Sequence, residues 1–103
     1  MHHIRATDTT DEVLREVGAR LRSFRLQQNV TQAELAAAAG VGAATIKRTE
    51  AGENTRLATL VKILRALGRM EAMDCFLPEP LISPIQVADQ RGIGRQRARR
   101  GHD

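Results

Sequence analysis

Tryptophan and tyrosine are absent from this chain, and Phe24 and Phe76 are its only aromatic residues. The sequence therefore does not suit a β-sandwich, which draws on aromatic and β-branched side chains, and offers few rings on which exposed bases could stack. One cysteine, Cys75, can neither close an internal disulfide nor supply a thiolate metal cluster. It lies in an apolar helical stretch and reads as a small buried hydrophobe. The histidines, His2, His3 and His102, sit at the chain ends, where no preorganised metal or catalytic site is expected. Cys75 has no histidine near it in sequence, and no glycine-rich phosphate loop is present, so an enzyme is not expected, nor any cofactor or metal. No apolar run approaches the roughly 18 residues of a membrane span, and no signal-peptide core follows Met1. A soluble, cytoplasmic protein without membrane contact is expected.

What the chain does have is alanine and arginine. Its 103 residues are enough for one domain and include 15 alanines, an inventory suited to closely packed small helices. Sixteen basic residues face 12 acidic ones, a net charge of +4. Residues 1–80 contribute only +1 of this, and residues 81–103, whose five basic side chains are all Arg, contribute +3. A small basic chain points to nucleic acid, the alternative being a solvated basic surface.

Residues 1–10 are polar and aperiodic and read as a flexible leader. Leu14, Val17, Leu21 and Phe24 then recur every three or four residues, predicting an amphipathic helix from Asp11 to about Gln28-Asn29. Thr31-Gln32-Ala33-Glu34 has capping-box spacing and opens a second helix that Gly40 closes after Ala39. A third helix is expected over about 42–51, ended by Gly52. The stripe Leu57, Leu60, Val61, Leu64 and Leu67 predicts a fourth, ending at Gly68, and a fifth should run from about Arg69 to Phe76, before Pro78 and Pro80. This is an all-α reading, with five helices in a domain over 11–77. Residues 78–87 contain the apolar, proline-bounded Leu81-Ile82-Ser83-Pro84-Ile85, open to reading as an edge strand, a docking segment or a linker. Residues 88–103 carry the five Arg, three Gly and only Ile93 as a large apolar residue, and are expected to be disordered.

The informative unit is Gln32 to Glu50. Ala36, Gly40 and Ile46 stand at helix-turn-helix offsets, with a small residue where the helices cross, a glycine at the turn and an aliphatic plug between them. In that motif the second helix enters the DNA major groove while the first crosses the backbone. With the preceding RLRSFRLQQN and the following LATLVKILRALG, the run TQAELAAAAGVGAATIKRTEAGE resembles the Cro/lambda-repressor (XRE) class of helix-turn-helix regulators over about 65 residues.

The resemblance implies a five-helix lambda-repressor-like domain that binds double-stranded operator DNA, usually as a homodimer on a palindromic site, and most often as a repressor. It also implies a buried ion pair between Arg25 and Glu50. Carried over residue by residue, Gln32 would bind phosphate at a helix N-terminus. Gly42, Ala43, Ala44, Thr45, Lys47 and Arg48 would form the reading face, and Asn54, Thr55 and Arg56 would contact phosphates from the following loop. This chain departs from the common pattern in having Gly42 where Ser or Thr usually caps the helix, and alanines where polar readers often stand. Its loop after the recognition helix is one residue shorter and lacks proline. Ala43 and Ala44 offer thymine methyl groups only apolar contact, so hydrogen-bonded readout falls to Arg48, with Lys47 on bases or phosphates.

The Leu77-Pro78-Glu79-Pro80 exit and the short basic extension also resemble HipB-like antitoxins, which would make a HipA-type kinase toxin a partner. The Arg-rich tail is open to three readings: a solvated end, a DNA-contacting arm or a protein-binding segment. Met70, Met73, Phe76, Leu77, Leu81 and Ile82 are the candidate dimer surface, the alternative being that they complete the monomer core.

Overall fold

The computed structural model describes residues 1–81; Ile82 and everything after it, including most of the 78–87 segment and the whole 88–103 tail, lie outside the described residues. Among the described residues the chain is all-helical: α1 (Thr10–Gln27), α2 (Gln32–Ala39), α3 (Ala43–Glu50), α4 (Leu57–Ala66) and α5 (Glu71–Phe76).

Side chains close the first two helices at their starts. The Thr31 hydroxyl accepts from the Glu34 N–H at 3.0 Å, and the Glu34 carboxylate accepts from the Thr31 N–H at 2.9 Å. The same box operates one helix earlier, between Thr9 and Glu12, at 3.1 and 2.7 Å. It places the start of α1 at Thr10, one residue before the Asp11 suggested by apolar spacing alone. At the far end of α2, Gly40 adopts φ 75°, a left-handed conformation that a Cβ would penalise, and its N–H donates to the Ala36 carbonyl. The fifth helix starts at Glu71 rather than Arg69 because Gly68 and Arg69 are used to end α4. The Arg69 N–H donates to the Leu64 carbonyl at 2.8 Å and the Gly68 N–H to the Arg65 carbonyl at 3.1 Å, the paired bonds of a Schellman ending.

The core consists of Leu21 from α1, Leu35 and Ala36 from α2, Ile46 from α3, and Ile63, Leu64 and Leu67 from α4 and its end. α2 packs on both α3 and α4, while α1 packs on α3. Ile46 is fully enclosed, and burying such a side chain contributes about 1.5–3 kcal/mol.

Two sequence expectations need correction. Cys75 is exposed, not buried: it shares the outer side of the six-residue α5 with Glu71 and Asp74, while Ala72 and Met73 face the core. Residues 1–10 do not run as a free leader either. The His2 N–H donates to Glu16 Oε1 at 3.0 Å and Arg20 Nη2 donates to the His2 carbonyl at 2.8 Å. The His2 ring meets Asp8 Oδ2 at 2.6 Å, and the Arg5 N–H donates to the same oxygen at 2.9 Å. Glu16 and Arg20 are paired one helical turn apart at 2.9 Å, and the second carboxylate oxygen of Glu16 is what ties the chain back onto α1.

Of the candidate dimer residues, Met73 packs beside the core, whereas Met70, Phe76, Leu77 and Leu81 are exposed; Ile82 lies outside the described residues.

Candidate nucleic-acid interface

α3 is held at its C-terminal end by a charged cluster that joins three helices. Arg25 Nε and Nη2 donate to the two carboxylate oxygens of Glu50 at 2.7 and 3.0 Å, and Arg25 Nη1 donates to the Val30 carbonyl at 2.8 Å. This bidentate geometry is the strong form of an arginine–carboxylate pair. The two side chains are 7% and 5% exposed. Hydrogen bonding to Glu50 holds the Arg25 pKa above its ordinary value, against the opposing effect of burial. A third donor comes from α2: Gln32 Nε2 reaches Glu50 Oε1 at 3.1 Å. The Gln32 side chain is thus engaged inside the protein, and its backbone N–H lies in the first turn of α2, where it has no partner within the helix.

The backbone of α3 is also clamped. A Cβ built on Gly18 would lie 2.5 Å from the Thr49 carbonyl oxygen and 2.6 Å from that of Glu50, so glycine is what lets α1 approach the end of α3 this closely. Thr49 is buried, and its hydroxyl donates to the Thr45 carbonyl at 2.8 Å. Spacing had not marked Gly18 or Thr49, because neither is a large apolar residue.

With Ile46 and Thr49 turned inward, the helical period leaves Ala43, Ala44, Lys47 and Arg48 on the outer side, all exposed. Gly42, at the N-cap, is exposed and provides no side-chain cap; Thr45 is half-buried. Beside this face lies a cleft of about 330 Å³ lined by Thr45, Arg48, Thr49, Asn54, Thr55, Arg56 and Thr59. Two guanidinium groups, an amide and four hydroxyls surround it, and none of the lining residues is acidic, a donor-rich chemistry suited to phosphate oxygens. Thr59 carries no signal in the sequence; it stands in the first turn of α4, where the cleft reaches it across the loop.

Among the described residues there is no cluster of histidine, cysteine or carboxylate side chains able to hold a metal ion. No described helix is long and apolar enough to cross a membrane. No curated protein sequence matches the chain. The family model described as a helix-turn-helix domain matches residues 16–73, from the buried Glu16 of α1 to Met73 of α5, which takes in the clamp, the turn at Gly40, the exposed face of α3 and the cleft. The chain belongs to the helix-turn-helix domain family.

Proposed function

We propose that this protein is a sequence-specific DNA-binding transcriptional regulator, a repressor that binds a palindromic operator in double-stranded DNA as a homodimer. The observation that carries this reading is the seating of α3: its inner side and C-terminal end are fixed, and Ala43, Ala44, Lys47 and Arg48 project from its outer side next to a cleft lined by donors. α3 enters the major groove, Arg48 reads guanine, and the two alanines lie against thymine methyl groups. The Gln32 N–H, Asn54, Thr55, Arg56 and Lys47 take backbone phosphates. The arginines beyond Ala88 add an electrostatic arm. Met70, Leu77 and Leu81 furnish the exposed apolar surface for pairing two copies.

Selection of binding sites from a random duplex pool tests the reading. Two half-sites about 10 base pairs apart, or a multiple of that, are expected for a dimer. Arg48→Ala should reduce discrimination at a guanine in each half-site by about 1–3 kcal/mol without loss of helix content. Unchanged discrimination removes the role assigned to Arg48.

A second reading, supported by the Leu77-Pro78-Glu79-Pro80 exit and the basic extension, is a HipB-like antitoxin that also binds a kinase-type toxin. Co-purification of a kinase-fold protein encoded beside this one distinguishes it from a stand-alone repressor.

A further inference from the structure

On the side of the molecule formed by α1, α4 and α5 lies an apolar groove of about 310 Å³, lined by Val17, Leu21, Phe24, Leu60, Leu64 and Phe76 among others. Its edge carries two arginines: Arg20, which is paired with Glu16, lines it, and the Arg69 guanidinium stacks over the Phe24 ring at 4.0 Å. Phe76, at the end of α5, is 66% exposed, so water reaches a large part of this surface.

We propose that the groove is a docking site for the chain's own segment Ile82–Val87. The described residues end at Leu81, five positions after the groove-lining Phe76, and 22 residues follow. Within those 22, the large apolar residues are concentrated at the start, as Ile82, Ile85 and Val87, and only Ile93 lies beyond them. Dimensions permit the fit. The groove follows α1 from Val17 to Phe24, about 10 Å of helix rise. At about 3.3 Å per extended residue the four positions Ile82 to Ile85 cover that length, and the five residues Leu77 to Leu81 reach about 17 Å. Charge permits it as well: Leu81 to Gln90 contains no basic residue and carries Asp89, so the segment meets the Arg20 and Arg69 edge without like-charge repulsion. The arginines begin only at Arg91, four positions after Val87. Tethering through so short a connector raises the segment's effective concentration at the groove to the millimolar range, well above that of a second copy in a micromolar solution.

The test uses the full chain. Cys75 is exposed and does not line the groove, so Cys75→Ser frees the sequence for a single new thiol, Gln86→Cys, bearing a nitroxide spin label. The expected result is loss of the Leu60 and Leu64 methyl signals relative to the reduced label, when label and isotope are on the same chain. The loss should persist on dilution and disappear when Ile85→Asp is added. Undiminished signals overturn the proposal. Signal loss confined to a mixture in which label and isotope sit on different chains also overturns it, and assigns the groove to a second copy instead.

Discussion

Three donors converge on the Glu50 carboxylate, two from Arg25 and one from Gln32, and the charged pair is almost wholly buried. Removing one charge from such a pair leaves the other buried without compensation. Arg25→Ala should therefore destabilise the domain by about 3–5 kcal/mol, read from urea unfolding, whereas Arg25→Met with Glu50→Leu should restore much of the loss. At the other end of α1 the relevant residue is His2. Its hydrogen bond to Asp8 raises its pKa above 6.5, outweighing desolvation. The same bond, with the Arg5 N–H, lowers the Asp8 pKa, and Arg20 together with the His2 N–H lowers that of Glu16. The histidine's contribution to stability is complete below pH 6.5 and is lost as pH rises through the raised value. The two carboxylates contribute above their ordinary pKa values, and that contribution is lost as pH falls through the lowered ones. A proton NMR titration should give a His2 midpoint above 6.5 that moves down in Asp8→Asn. An unmoved midpoint would show that the ring does not meet Asp8 in solution.

At the level of elements, the contact that decides the arrangement is α1 against the end of α3. Gly18→Ala places a methyl group within 2.6 Å of two backbone carbonyl oxygens that cannot rotate away, so the helices must separate. A loss of about 1–3 kcal/mol is expected, as for other overpacked interiors, with the midpoint of thermal unfolding as the readout. All five helices were legible from apolar spacing and from turn chemistry, because the Leu21, Ile46 and Leu64 faces and the Gly40 turn are local signals. What was not legible depends on contacts distant in sequence. Cys75 sits in an apolar stretch, yet α5 is too short to bury more than one side, and its inner positions fall on Ala72 and Met73. The tie between His2 and Glu16 spans 14 residues and has no periodic signature. The Thr9–Glu12 box was available in the sequence as a Thr-x-x-Glu pattern, but the apolar pattern, which begins later, drew the boundary. Position in its motif points Gln32 toward phosphate, and only the folded chain shows its amide turned toward Glu50.

For the whole molecule, net charge and the exposed face of α3 occupy different parts of the chain. Residues 1–80 are close to neutral, and most of the net charge of +4 lies after Pro80. Deleting residues 88–103 removes five arginines and should make the logarithmic salt dependence of DNA binding shallower by up to about 4, with base discrimination unchanged. A slope that stays the same would remove the tail from the binding surface. The clamp on α3 has a further consequence. Its anchors, Gly18, Arg25, Ile46, Thr49 and Glu50, are distinct from the four side chains that point outward, and two of those four are alanines that make no demand on their surroundings. The helix behaves as a mounted insert whose lettering can be changed without disturbing the mount. If α3 reads DNA as proposed, substitutions at Ala43, Ala44, Lys47 and Arg48 alone would change what it reads, at little cost in folding.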